Sequence, residues 1–144
     1  MIGTVMSENV QIYVLDTSAW LALIEDEEGA DLVQQILEKA KSGEVDILVS
    51  FMSFMEVMYI TLQERDLGEA DERVKLMAAL PITRVESNNS LGIIAAKLKA
   101  NYRISVADAW IAALAQERNA ALVHKDPEFE QIEEDIQVIK LPYK

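Results

Sequence analysis

Asp16, Glu56, Asp108 and Asp126 stand in sequence settings where a carboxylate needs a reason. Asp16 closes the apolar run Gln11 to Leu15, and Asp126 follows the run Ala121 to His124. On helices, Glu56 would have Met52, Tyr59 and Ile60 as its i−4, i+3 and i+4 neighbours, and Asp108 would have Ile104, Ile111 and Ala112. A carboxylate on a core-facing stripe costs several kcal/mol unless it is paired or bound to a cation. Four brought together repel by ~4 kcal/mol per close pair at an effective dielectric of about 20, so a cation must occupy such a cluster. With oxygen donors and no cysteine in the chain, the ligand set favours Mg²⁺ or Mn²⁺ over zinc.

Each acid also has an ordinary structural use. Asp16 fits a helix N-cap, worth about 1 kcal/mol, although Thr17 and Ser18 can serve instead and leave Asp16 free to point into the crevice. Glu56 reads alternatively as half of a buried ion pair, or as a residue at the wet edge of its stripe. Ser105 and Asp108 have capping-box spacing, in which the acid bonds back to the serine amide. Asp126, before Pro127 and Glu128, fits an N-cap followed by an N1 proline and an acidic first turn. Convergence is what favours a site. Two acids end strands, two sit near helix starts, and all four can reach one edge of one sheet, where open α/β folds bind ligands.

The elements that must position these acids follow from periodicity. Residues 11–15, 46–50, 82–85, 121–124 and 136–140 read as strands. Helical spacing covers 18–24, 29–41, about 53–66, 69–80, about 88–101 and 105–117, with Gly43 a stop and Pro81 ending the fourth helix. The alternation predicts an α/β three-layer sandwich: a central, mostly parallel sheet of about five short strands flanked by helices. Residues 11–144 are expected to form one domain, and 1–10 a flexible tail or an alternative start with Met6 as the true beginning.

A chain of 144 residues can bury roughly 68–70% of its unfolded surface, enough for one core. No stretch reaches the ~18 apolar residues of a membrane span, and residues 1–10 show no targeting pattern. With no cysteine, a cytoplasmic location is expected. The net charge of −12, from 25 acids and 13 bases, argues against a broad basic face for nucleic acid. Held cations, or a stripe of Lys97, Lys99 and Arg103, would have to supply local positive charge. A solvated helix face explains the same stripe equally well. Trp20 and Trp110 lie in apolar helices and read as core rather than as base-stacking platforms.

The segments Val14-Leu15-Asp16-Thr17-Ser18-Ala19, Ser53-Phe54-Met55-Glu56-Val57, Ser105-Val106-Ala107-Asp108-Ala109 and Asp126-Pro127-Glu128-Phe129 together resemble the PIN-domain ribonucleases, in particular the toxin subunits of prokaryotic VapBC-type toxin–antitoxin pairs. No segment is decisive alone; their order and spacing are specific, and the resemblance runs from Ile12 to the end. It implies an endoribonuclease in which Asp16, Glu56, Asp108 and Asp126 ligate one or two Mg²⁺ or Mn²⁺ ions, with in-line attack leaving a 5′-phosphate and a 3′-hydroxyl. Ser18 matches a small hydroxyl near the site, and Ser105 is expected to orient Asp108 as well as cap its helix. The implied partners are an RNA substrate, a small antitoxin protein and a second copy of the chain, with Met52, Met55 and Met58 either contributing to that dimer or filling the core.

One departure stands out. Relatives often carry Thr or Ser two residues before the fourth acid, and this chain has His124 followed by Lys125. Either residue is a candidate phosphate contact, although a strand-end histidine is more often a surface residue. Haloacid-dehalogenase chemistry wants a second Asp where Ser18 stands, receiver domains want an early acid pair, and P-loop and Gly-x-Ser-x-Gly elements are missing. The readings left beside a toxin are a catalytically silent PIN-like binding module and a general RNA-processing nuclease.

Overall fold

The structure is a computed structural model and describes residues 10–143. Five strands, β1 (Gln11–Leu15), β2 (Val45–Ser50), β3 (Thr83–Val85), β4 (Ala121–His124) and β5 (Val138–Lys140), form one sheet in the order β3-β2-β1-β4-β5. Every pairing is parallel, so the sheet is wholly rather than mostly parallel. Among the described residues six helices connect the strands: α1 (Thr17–Ile24), α2 (Ala30–Lys41), α3 (Phe51–Glu64), α4 (Leu67–Ala79), α5 (Asn89–Asn101) and α6 (Val106–Arg118). A 3-10 turn, Pro127–Ile132, precedes β5. The expected tail, residues 1–10, lies outside the described residues except for Val10.

A parallel sheet needs cover on both faces, and period-2 alternation supplies two separate apolar layers. Val14, Leu48 and Leu122 point to the layer that holds Leu91, Leu98, Ile111 and Leu114 of α5 and α6. Their neighbours Leu15, Ile47, Val49 and Val123 point the other way, to Trp20, Val33, Phe54, Val57 and Met77 of α1 through α4. Each fully buried large side chain contributes roughly 1.5–3 kcal/mol, which makes the register of β1 and β4 hard to slip. Gly43 ends α2 as expected, taking φ +82° just past the cap.

Parallel connectivity has one consequence for chemistry: every strand delivers its carboxyl end to the same edge. Leu15 is in register with Val123, and Ser50 with Val85. The residues that follow β1 and β4, and the first turns of α1 and α3, are therefore gathered at one rim.

Candidate functional site

Asp16 follows the central strand, and its amide donates to Val123 O at 3.0 Å, which holds it against β4. It is 2% exposed. Its two carboxylate oxygens have different tasks. Oδ2 caps α1, accepting from Ser18 N at 2.9 Å and from the Ser18 hydroxyl, whereas Oδ1 is buried with no hydrogen-bond partner among the described residues. Thr17 and Ser18 therefore do not replace Asp16 as the cap; the residue caps and still presents one oxygen. Burial pushes its carboxyl up to about 7, against the two Ser18 bonds and helped by the charges of Glu56 and Asp126. Ser18 Oγ in turn accepts from Lys125 N at 2.8 Å, pinning the end of β1 to the end of β4.

Glu56 lies in the second turn of α3. Its Oε1 accepts the Thr17 hydroxyl at 2.7 Å, and Thr17 Oγ1 is also 3.1 Å from Ser53 Oγ. The surroundings are less apolar than helical spacing suggested: Tyr59 is exposed, and Met52, Glu56 and Ile60 are half-buried. Glu56 thus sits on the border of the stripe, bonded to a hydroxyl rather than to the basic partner of an ion pair. Burial raises its proton affinity, Thr17 lowers it, and the charge of Asp126 raises it further.

Asp108 is buried in the first turn of α6. Only half of the expected capping box forms. Ser105 Oγ accepts from Asp108 N at 3.1 Å, but the Ser105 amide donates to Glu128 Oε1 at 2.6 Å instead of to Asp108. The Asp108 carboxyl is left for Glu128: burial first, and then this hydrogen bond, push Asp108 up to about 9. The same bond holds Glu128 below the usual carboxylate range, with Ser105 N and Lys99 assisting. Glu128 was legible only as an acid in a first turn, yet it is a fifth carboxylate of the site. Thr17 likewise read as a spare cap.

Asp126 caps the 3-10 turn, accepting from Glu128 N at 2.9 Å, and its own amide donates to His124 Nδ1 at 3.1 Å. Its charge raises the proton affinity of Asp16, Glu56 and Asp108 alike. One charge acting on three other acids is the electrostatic signature of a cluster. Among the described residues, no three His, Asp or Glu side chains are drawn tightly enough together to form a ready-made metal cage. The donor chemistry nevertheless fits a hard divalent cation: all the groups are oxygens, one of them is orphaned and buried, and among the described residues no basic side chain is bonded to these four acids.

The candidate substrate contacts fare unequally. His124 is completely buried, ringed by Phe129 at 5.1 Å and Tyr143 at 6.5 Å between centroids, so it is neither a surface residue nor able to touch a phosphate. Burial pushes its imidazole down. Lys125 folds its ammonium inward, 2.9 Å from Glu28 O and 3.5 Å from Glu27, with its side chain 6% exposed; it braces the α1–α2 connection instead of reaching outward. Lys97, Lys99 and Arg103 are all exposed. Lys97 and Lys99 are two residues apart on α5 and leave the helix in nearly opposite directions. Lys99 lies near enough to Glu128 to act on it electrostatically, whereas Lys97 lines a hollow with Gln116 and Asp135. Trp20 is core, as expected. Trp110 is half-buried, edge-on to Phe51.

Beside the acids opens a cleft of about 510 Å³, lined in part by Ser18, Leu21, Glu25, Glu64 and Tyr143. Three acids, Glu25, Glu27 and Glu64, line it against one lysine, Lys125. Among the described residues no helix is long and apolar enough to cross a membrane.

A parallel five-stranded sheet with acids from β1, α3, α6 and the end of β4 at one rim defines the class. The PIN domain profile matches residues 13–135, and the chain belongs to the PIN domain family. None of the curated proteins matches the sequence. Solved structures of the same fold include VapBC2 from Rickettsia felis bound to a DNA fragment from their promoter, with 16% identity, 92% of this chain and 100% of that chain covered, and a TM-score of 0.73. DNA-bound VapBC from Salmonella typhimurium is similar at 16% identity, 91% and 98% coverage and TM-score 0.72. The Sarcin-Ricin loop cleaving toxin VapC20 of Mycobacterium tuberculosis matches at 15% identity, 84% and 94% coverage and TM-score 0.64.

Proposed function

We propose that this chain is a divalent-metal-dependent endoribonuclease and the toxin of a cytoplasmic toxin–antitoxin pair. The observation that carries the reading is the buried, unpartnered Oδ1 of Asp16 amid acids that raise one another's proton affinity. Asp16, Glu56, Asp108 and Asp126 would hold one or two Mg²⁺ or Mn²⁺ ions. Bound there, the ion supplies Lewis acidity toward the attacking water and the scissile phosphate. The chain's own groups prepare that site. Ser18 keeps Asp16 Oδ2 occupied and leaves Oδ1 unbonded, Thr17 bonds Glu56, and Ser105 and Glu128 hold the first turn of α6.

Family membership and the likeness to VapBC structures support the toxin reading. The acidic cleft beside the site suits a basic segment of an antitoxin better than an RNA backbone. A homodimer is part of the same proposal, seated on the exposed residues Met55, Tyr59 and Leu62 of α3.

The test incubates the purified chain with a mixed single-stranded RNA pool in Mg²⁺ or Mn²⁺, with a chelator control and an Asp108→Asn control. Cleavage with metal that vanishes in both controls is expected. Cleavage persisting in either control rejects the mechanism. A protein that cuts none of the RNA, yet binds a basic partner, would be a silent PIN-like module.

A further inference from the structure

His124 ends β4, and its backbone is fixed there: it pairs with Lys140, and its carbonyl accepts from Leu141 N at 2.8 Å. Its ring is wholly buried and packs beside Phe129, 5.1 Å between centroids, with Tyr143 at 6.5 Å. From that anchored position Nδ1 accepts the Asp126 amide at 3.1 Å, a forward bond to the second residue on that closes the turn between strand and 3-10 helix. An imidazole that accepts at Nδ1 carries its proton on Nε2. Among the described residues that Nε2 is buried with no partner, an arrangement that disfavours folding. Packing does not account for it, because a leucine would fill the same space with no polar atom to strand. Among the described residues, the Nδ1 lone pair is the polar feature of this side chain that its surroundings use.

We propose that His124 is a positioning residue for Asp126, referencing the backbone of the fourth acid to the sheet through its Nδ1. The proposal rests on the reading of Asp126 as a metal ligand. The bond matters because Asp126 is rigidly committed on its other side: Oδ1 takes Glu128 N at 2.9 Å, so the turn and the carboxylate move together. It matters beyond Asp126 because that charge acts on Asp16, Glu56 and Asp108. Without the acceptor, the Asp126 amide would have to find water or turn outward, and the carboxylate would turn with it.

The chain has a single histidine, so its ring nitrogens are unambiguous in ¹⁵N NMR of the metal-free full-length protein. The expected spectrum has a protonated Nε2 and an unprotonated Nδ1; a proton on Nδ1 overturns the proposal without any variant being made. Mn²⁺ affinity is then measured by calorimetry for wild type, His124→Asn, His124→Leu and Asp126→Asn, each checked for a cooperative thermal transition. Asparagine places an acceptor at the same distance from the backbone as Nδ1 and should bind Mn²⁺ as the wild type does, whereas leucine should lose about tenfold or more. Leucine binding like wild type would overturn the positioning role. Should leucine not fold, His124→Gln, with its acceptor one bond farther out, takes its place with the same expectation. Asp126→Asn binding Mn²⁺ undiminished would instead remove Asp126 from the ligand set, a failure distinct from that of the histidine.

Discussion

The carboxyl groups of Asp108 and Glu128 are neighbours that shift each other in opposite directions, Asp108 up to about 9 and Glu128 below the usual carboxylate range. Two carboxylates side by side cannot both be charged at low cost, and the more deeply buried one keeps the proton. Glu128 stays ionised because Ser105 N donates to it and Lys99 stands nearby. A cation held by Asp108 would compete with a proton there. Substituting Glu128→Gln removes the charge that holds the proton on Asp108, so the acid limb of the cleavage–pH profile should move to lower pH. An unshifted profile would mean that the pair has no part in loading or turnover.

The metal-free protein should lose stability as pH rises through neutrality. Asp16 has its folded-state value raised from 3.8 to about 7. Between those values the folded chain binds more protons than the unfolded one, so its contribution is complete below pH 3.8 and is lost as pH climbs through 7. Asp108, raised to about 9, extends the decline to higher pH. Melting temperatures in chelator from pH 5 to 8 should fall more steeply for wild type than for Asp16→Asn. Equal slopes would show that Asp16 is ionised throughout.

Divalent metal should reverse this trend. Binding to the folded state alone adds about 2.7 kcal/mol at a hundredfold excess over the dissociation constant, several degrees in melting temperature for a domain of this size. Mn²⁺ should stabilise the wild type by that much and the Asp16→Asn/Asp108→Asn double variant hardly at all. Equal shifts in both would place the metal elsewhere.

Thr17→Val keeps the shape of a buried side chain but takes away the hydroxyl that donates to Glu56. Loss of an outer contact to a ligating carboxylate costs about tenfold in metal affinity or activity. Thr17→Ser should recover most of it. A threonine needed only for packing would show the opposite order, with valine the better replacement.

Met55, Tyr59 and Leu62 recur at i, i+4 and i+7 on α3 and are 49%, 41% and 43% exposed. A charge at the middle of an apolar contact is poorly tolerated. Leu62→Glu should therefore convert the proposed dimer to monomer in light scattering while leaving the thermal transition near that of the wild type. A wild-type chain that is monomeric at tens of micromolar would dispose of the dimer itself.

Much of this molecule was written locally. The alternating strands and helices follow from period-2 and period-3.6 patterning, and once the strands are short, apolar and separated by helices, a parallel sheet covered on both faces is nearly forced. Strand ends that carry Asp16 and Asp126 could be read directly. So could Ser105 as the cap of α6, because caps depend on a few neighbouring residues. Contacts between residues far apart in the chain could not. Thr17 meets Glu56 across 39 positions, Ser105 N meets Glu128 across 23, and each pairing overruled a local solution, the spare cap and the capping box, that spacing alone made reasonable. The burial of His124 and the inward fold of Lys125 were settled in the same way, by what β5, the 3-10 turn and the α1–α2 connection bring over them. The sequence by itself determined which edge of which sheet carries the acids. Only the tertiary structure decided which oxygen of Asp16 is left without a partner, because that depends on how completely the packed neighbours exclude water from a carboxylate already half committed to its helix.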